Sequence, residues 1–400
     1  MTSYMIPSYF VVLDELPLTS SGKVDQRRLP APDLSRAVDQ ADDASLTATE
    51  RGLLRDVLRP LLHDDRLGAR DDFFLSGSNS LQAVQLLSAI KRRFGVEIAL
   101  ADFFVSPTVA HLAAAVDTVR AARRDDGDPL DALADRAGPG SDRVPVVMRA
   151  SGPEQVILMH PSGGELFCYI PLARALREDI GVSGFAADPR DASVAPRDGM
   201  AATAARIARS LVKDGLPRSY CLAGWSYGGV LAFEVARQIE RRTGERPPVV
   251  LVDAAYDEDS VPLNAATVRQ RFVHDVARLA GRDGPKVRAA LDDPAAGAAG
   301  LRETLTGLGV ELELAEDELA SRFETFRFCA LSMRAYRPPG PYGGPVTVLT
   351  ASPHIAVEEQ WRKVYTGSFR IECVPGDHYT LFAEPALSRV VAVIEETLTP

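Results

Sequence analysis

The hydrophobic rhythm changes twice along this chain. In residues 1–30 apolar positions fall in a strand-like run, Tyr9-Phe-Val-Val-Leu13, that leads to the turn-forming Ser20-Ser-Gly22. Pro30-Ala-Pro32 then opens a polar linker reaching about Ala44. From about 46 to 118 the spacing turns helical. Leu53, Leu54, Val57, Leu58, Leu61 and Leu62 share one helix face, with Pro60 expected to end or kink it early. Leu81, Val84, Leu87 and Phe94 form a second stripe with Ser80 at its N-cap, and Pro107-Thr108 opens a third carrying Leu112, Ala113 and Val116. These stripes predict a small helical bundle. Residues 119–143, with Arg123-Arg-Asp-Asp-Gly-Asp-Pro129 and Gly138-Pro-Gly-Ser141, read as a flexible tether, with some helix around Leu130–Leu133. A coil of that length spans about 25–30 Å, enough for one domain to swing over the next.

Residues 144–400 alternate short β-branched runs with helical stretches. Candidate strands are Gln155–Met159, Tyr220–Ala223, Pro248–Val252, Val346–Leu349 and Arg370–Val374. Helices between such strands imply a mainly parallel sheet covered on both faces. Between Asp253 and His378 the chain is too long for the remaining strand–helix units, and about 258–335 is rich in helix formers. That section is expected to be a helical lid that excludes water and shapes a pocket.

Composition narrows the class. A hydrophobic content of 46% and a charged content of 25% are those of soluble globular protein, and 400 residues call for two or three domains. The net charge of -10 argues against nucleic acid or an anionic membrane as partner. No apolar run approaches a membrane span and no leader pattern opens the chain, so a cytoplasmic location is expected. Cys168, Cys221, Cys329 and Cys373 are scattered without a CxxC pair and are expected to be buried free thiols, with no metal site.

The sharpest chemical signal is Gly224-Trp-Ser226-Tyr-Gly228, placed between a predicted strand and a helical run at Val230–Gln238. A nucleophile on a strand-to-helix turn needs neighbours with almost no side chain, and the following helix aims its first amides at an oxyanion. A serine hydroxyl also needs a base, and the base an orienting acid. Asp253 closes the strand Val249–Val252, and His378 lies in the turn after the strand 370–374, which gives the order Ser, acid, His. Asp257 and Asp259 are rival acids past the strand end, and His354 is a rival base. The loop Met159-His-Pro-Ser-Gly-Gly164 offers a second oxyanion donor beside the amide of Tyr227; Gly163 is the choice, with Ser162 and Gly164 close behind. His160, at a strand end before Pro161, reads as structural.

Three resemblances follow. Asp71-Asp-Phe-Phe74 leading to Gly77-Ser-Asn-Ser80-Leu81 resembles the phosphopantetheine-attachment motif of peptidyl carrier domains, although Ser76 and Ser78 replace the usual Leu and Gly. The resemblance implies a four-helix carrier over 46–118 with 4'-phosphopantetheine on Ser80, attached by a phosphopantetheinyl transferase. Leu13 to Asp25, containing Lys23, looks like the last core motif of amino-acid adenylation domains. Only the end of such a domain is present in 1–30, so no adenylation activity is expected. His160–Gly164, Gly224–Gly229, Val252-Asp253 and Gly376–His378 are similar to the terminal thioesterases of peptide-synthesising assembly lines. Together they imply the end of a nonribosomal peptide synthetase, a fragment or a truncated gene product. An α/β-hydrolase thioesterase over 144–400 would receive an acyl chain from the carrier, and condensation and adenylation domains would act upstream. A polyketide-type terminus and an esterase for diffusible substrates are the alternatives.

Overall fold

The computed structural model describes residues 17, 45–76, 78–98, 100–125, 143–150, 152–256, 263–282, 287, 300–351 and 355–399. Lys23 and the rest of the adenylation-like segment but for Pro17, the tether from 126 to 142, Asp257, Asp259 and His354 lie outside them.

The helical stripes of the first part form α1 (Ala48–Leu53), α2 (Arg59–Leu62), α3 (Ser80–Phe94), α4 (Leu100–Val105) and α5 (Val109–Asp125). Leu53, Leu86, Ile90, Phe103, Leu112 and Val116 meet in their shared core, fully buried. Burying each such side chain contributes roughly 1.5–3 kcal/mol, which a bundle this small needs to hold together. Pro60 does not end the first stripe. A π-helical turn, Leu54–Leu58, precedes it, and the chain continues helically to Leu62 before His63 adopts a left-handed conformation. In the wider turn the Arg59 amide donates to the Leu54 carbonyl, five residues back, and Pro60 falls in the first turn of α2, where its missing amide costs least. The N-cap of α3 is Asn79 and not Ser80: Asn79 accepts from the Gln82 amide, and Gln82 reaches back to the Asn79 amide. Ser80 is thereby the first helical residue. At the other end, α5 runs on to Asp125, into the stretch read as tether.

The second part is built on a seven-stranded sheet of order β1-β3-β2-β4-β5-β6-β7. The strands are β1 (Val146–Arg149), β2 (Glu154–Met159), β3 (Ile180–Phe185), β4 (Ser219–Trp225), β5 (Val249–Val252), β6 (Val346–Thr350) and β7 (Phe369–Cys373). All neighbours are parallel except β1, which runs antiparallel to β3 at the edge. Parallel strands need crossover helices. Here these are α6 (Ile170–Ala175), α7 (Pro196–Asp214), α8 (Tyr227–Thr243) and α12 (Ile355–Arg362), while α13 (Ala386–Leu398) closes the chain. This is the α/β-hydrolase arrangement, with the carrier-like bundle before it.

Between β5 and β6 lie α9 (Ala265–Leu279), α10 (Leu301–Gly307) and α11 (Glu316–Ala335). Phe272, Val276, Leu305, Leu319 and Phe326 give this section a core of its own. The end of α11 serves two cores: Ala330 and Leu331 join that of the lid, while Phe328, Cys329, Met333 and Tyr336 pack into the main core with α7 and α8. The thiols divide too: Cys221 and Cys329 are buried, Cys168 is half-buried, and Cys373, at the end of edge strand β7, is exposed. Among the described residues no helix is long and apolar enough to cross a membrane.

Candidate active site

Three short loops at the carboxyl ends of β4, β5 and β7 build the site. Ser226 stands between β4 and α8 with φ 57° and ψ -125°, a conformation non-glycine residues rarely accept. Asp253, directly after β5, has φ 45°. Such backbones cost about 1–3 kcal/mol each, and the packing around them must impose the turn. Gly224 and Gly228 allow that packing. A Cβ on Gly224 would lie 2.2 Å from the Gly228 backbone, and one on Gly228 would lie 2.3 Å from the Met159 carbonyl. Gly228→Ala is therefore expected to destabilise the fold by about 1–3 kcal/mol or more, seen as a lower urea midpoint.

A side chain that the sequence reading missed completes the scaffold. The Trp225 amide donates to the Tyr169 hydroxyl at 2.8 Å, and that hydroxyl donates to the Met159 carbonyl at 2.7 Å. Met159 pairs with Gly224 as the last rung of β2 against β4. Tyr169 thus continues the ladder by one residue, up to the position before Ser226.

Asp253 and His378 meet. His378 Nδ1 lies 2.6 Å from Asp253 Oδ2, while Asp253 Oδ1 accepts from the Ala351 amide at 3.0 Å and the Thr350 hydroxyl at 3.3 Å. Burial disfavours the charged carboxylate. The His378 hydrogen bond and charge, with the Ala351 amide and Thr350, outweigh it and hold the carboxyl below its ordinary value. With Nδ1 engaged, Nε2 is the ring nitrogen left for other partners. The indole of Trp225 lies beside the imidazole, centroids 4.9 Å apart. From the lid, Arg278 pairs with Asp377 at 2.5 Å and so steadies the turn that carries His378.

Ser226, Asp253 and His378 line one cavity of about 440 Å³, together with Ser162 and Gly163 of the loop after β2. The Gly164 amide is spent on the Pro161 carbonyl at 2.9 Å. That leaves Gly163 and Ser162 of the three loop candidates. Tyr227 opens α8, so its amide has no acceptor within the helix. His160 takes no part. It is buried against the Tyr227 ring, its Nδ1 is 2.9 Å from the Pro161 carbonyl, and burial with the nearby Arg143 charge lowers its pKa to about 3.

The cavity does not end at the hydrolase. Leu81 and Val84, on the helix that Ser80 opens, form part of its wall. Around this opening the two parts touch repeatedly. Arg174 of α6 pairs with Asp72 at 2.6 Å and covers the Phe74 ring, and Phe167 packs on Phe103 and Phe104. Gln85 donates to the Glu311 carbonyl, and Ser88 pairs with Glu318 on the lid. The Arg174 side chain is 36% exposed, so the ion pair by itself contributes under about 1 kcal/mol. Reversing its charge adds repulsion against Asp72. Arg174→Glu is expected to loosen the contact between the two parts, seen as faster amide hydrogen exchange around Asp72 and Phe167.

Comparison with known proteins decides the family. The model of the thioesterase domain matches residues 154–398, more than half of the chain. The chain belongs to the thioesterase family. The model of the phosphopantetheine attachment site matches residues 52–116, so ahead of the thioesterase lies a region of the kind that bears phosphopantetheine covalently on a serine. Among curated proteins, the thioesterase chain is 32% identical over 71% of its length to a dimodular nonribosomal peptide synthase of Bacillus subtilis (strain 168), of which this covers 11%. It is 27% identical over 96% of its length to the chondramide synthase cmdD of Chondromyces crocatus, covering 10% of that protein. The thioesterase thus spans about a tenth of these relatives. Among solved structures, holo-AB3403, a four-domain nonribosomal peptide synthetase bound to AMP and glycine, shares the fold over the whole chain. There the TM-score is 0.56 at 23% identity, and 29% of that chain is covered.

Proposed function

We propose that this thioesterase releases an acyl or peptidyl chain delivered as a thioester by the preceding carrier region, through an ester on Ser226, in nonribosomal peptide synthesis. One observation carries the reading: a single cavity is lined both by Ser226 and His378 and by Leu81 and Val84, from the helix that begins at Ser80.

The residues present fit a phosphopantetheine arm on Ser80. Asn79 caps the helix so that Ser80 opens it, and Leu81 and Val84 of the same helix line the cavity that Ser226 also lines. The group, when bound, supplies a long flexible tether ending in the thiol that holds the acyl chain. Everything else falls to the protein's own side chains. His378 Nε2 takes the proton of the Ser226 hydroxyl as its oxygen attacks the thioester carbonyl. Asp253 keeps the other nitrogen protonated and offsets the charge of the imidazolium. The amides of Tyr227 and Gly163 receive the negative carbonyl oxygen. His378 then gives the proton to the departing sulfur, and the acyl group stays on Ser226. Water, or a nucleophile within the chain, completes release by the same base. Because the substrate is tethered, its local concentration and not its free affinity governs the first step.

The test is to load the protein with phosphopantetheinyl transferase and an acyl-coenzyme A, then to measure released product. Release from the wild type but not from Ser80→Ala, with both cleaving a free acyl thioester equally, is the expected outcome. Equal release by the two would place the substrate off the carrier and overturn the reading.

A further inference from the structure

The proposed reaction uses Ser226, Asp253 and His378, yet the cavity holds another carboxylate. Asp275, on lid helix α9, lines the same wall as Ser226 and His378. It is half-buried. Its neighbours are close enough to act on it: the Tyr379 hydroxyl, 3.4 Å from His274 Nδ1, and the His378 ring both stabilise its charged form. Arg278, on the same helix, is directed instead to Asp377 and to the face of the Tyr379 ring. The lining around it is mixed: Phe272, Val276, Leu312 and Leu319 are apolar, while Arg271 and His274 of the same helix and the paired Arg322 and Glu165 also reach the cavity. Among the described residues Asp275 forms no ion pair with a basic side chain, and a carboxylate so placed is costly unless an incoming group supplies the complementary charge.

Resting on the release reading above, we propose that Asp275 is a specificity residue that receives a protonated amino group of the acyl chain, close to the carbonyl held at Ser226. The substrate class is a chain with a basic side chain or free amine near its thioester end. The titration of Asp275 agrees. Burial raises its pKa to about 6, against the opposing pull of His378 and Tyr379. At pH 7.5 it is mostly carboxylate and able to hold an ammonium.

The experiment uses N-acetylated aminoacyl N-acetylcysteamine thioesters in matched pairs, with the full chain. Lysyl is set against norleucyl, and 2,3-diaminopropionyl against 2-aminobutyryl. A charge-assisted hydrogen bond is worth roughly ten- to hundredfold. Wild type is therefore expected to favour at least one amine over its neutral counterpart by about tenfold in kcat/KM, mainly through KM. Asp275→Asn should erase that preference while leaving both neutral thioesters within about twofold, and Asp275→Glu should restore part of it. The neutral substrates show at the same time that each variant is folded. No preference in wild type, or an equal loss on both members of a pair in Asp275→Asn, would overturn the assignment with Ser226 chemistry intact. Continued cleavage of the neutral thioesters by Ser226→Ala would instead overturn the release reading, and this assignment with it.

Discussion

Ser226→Ala is expected to lower release by about 10⁵–10⁶-fold, because the group that forms the intermediate is gone while binding and the oxyanion amides remain. The acyl chain should then stay on the carrier. Its accumulation is measurable as a stable mass increase on the loaded protein under conditions where wild type has already turned over. The substitution removes one hydroxyl from a turn whose shape is held by Gly224, Gly228 and the Ser226 amide, which donates to the Val252 carbonyl at 2.9 Å. The fold should be unaffected, so the loss reads as chemistry. Release within about tenfold of wild type would show that the elbow serine is not the nucleophile.

Asp253→Asn is expected to reduce kcat by about 10³–10⁴-fold with little change in KM. The carboxylate accepts from His378 Nδ1 at 2.6 Å while its other oxygen is fixed by the Ala351 amide at 3.0 Å. An amide in the same place can turn its NH₂ toward the ring and stabilise the tautomer with the proton on Nε2, where the base must be free. The sign of the stability effect also follows. Asp253 has a depressed pKa in the folded protein, so it contributes stability above the unfolded carboxylate pKa, lost as pH falls through the folded value. Wild type should therefore lose more stability on acidification than Asp253→Asn. Urea unfolding of both proteins at pH 7 and at low pH checks this.

The central strands were readable because burial on both faces leaves an almost unbroken β-branched run, as in Val249–Val252. Two strands escaped for physical reasons. β3 reads Ile-Gly-Val-Ser-Gly-Phe, in which the glycines look like turn residues. Gly184 is small because the Leu158 carbonyl and the Leu166 side chain come within about 3 Å of where a Cβ would stand. β1 is short, lies on the edge and exposes Val147. Its identity comes from pairing with β3, which no local pattern records.

The site divides in the same way. Ser226, Asp253 and His378, the candidates that line one cavity, could be singled out because each follows a strand at a position where the turn chemistry is local. Tyr169 could not, since its hydroxyl matters only where β2 and β4 end together. Asp275 and the contacts of Arg174, Phe167 and Glu318 with the carrier region depend on which helix faces arrive at the cavity. That is a property of long-range packing and leaves no periodic trace. At Ser80 the reading of an N-cap was off by one residue because Asn79 is the better cap.

The most direct measurement follows one acyl group through a single turnover. The protein is loaded on its carrier, quenched at short times, digested, and the acyl mass assigned to peptides. The account predicts that it appears first on the peptide containing Ser80, then transiently on the peptide containing Ser226, and in Ser226→Ala remains on the first. Departure of the acyl group at equal rates from wild type and Ser226→Ala, with none ever on the Ser226 peptide, would contradict it.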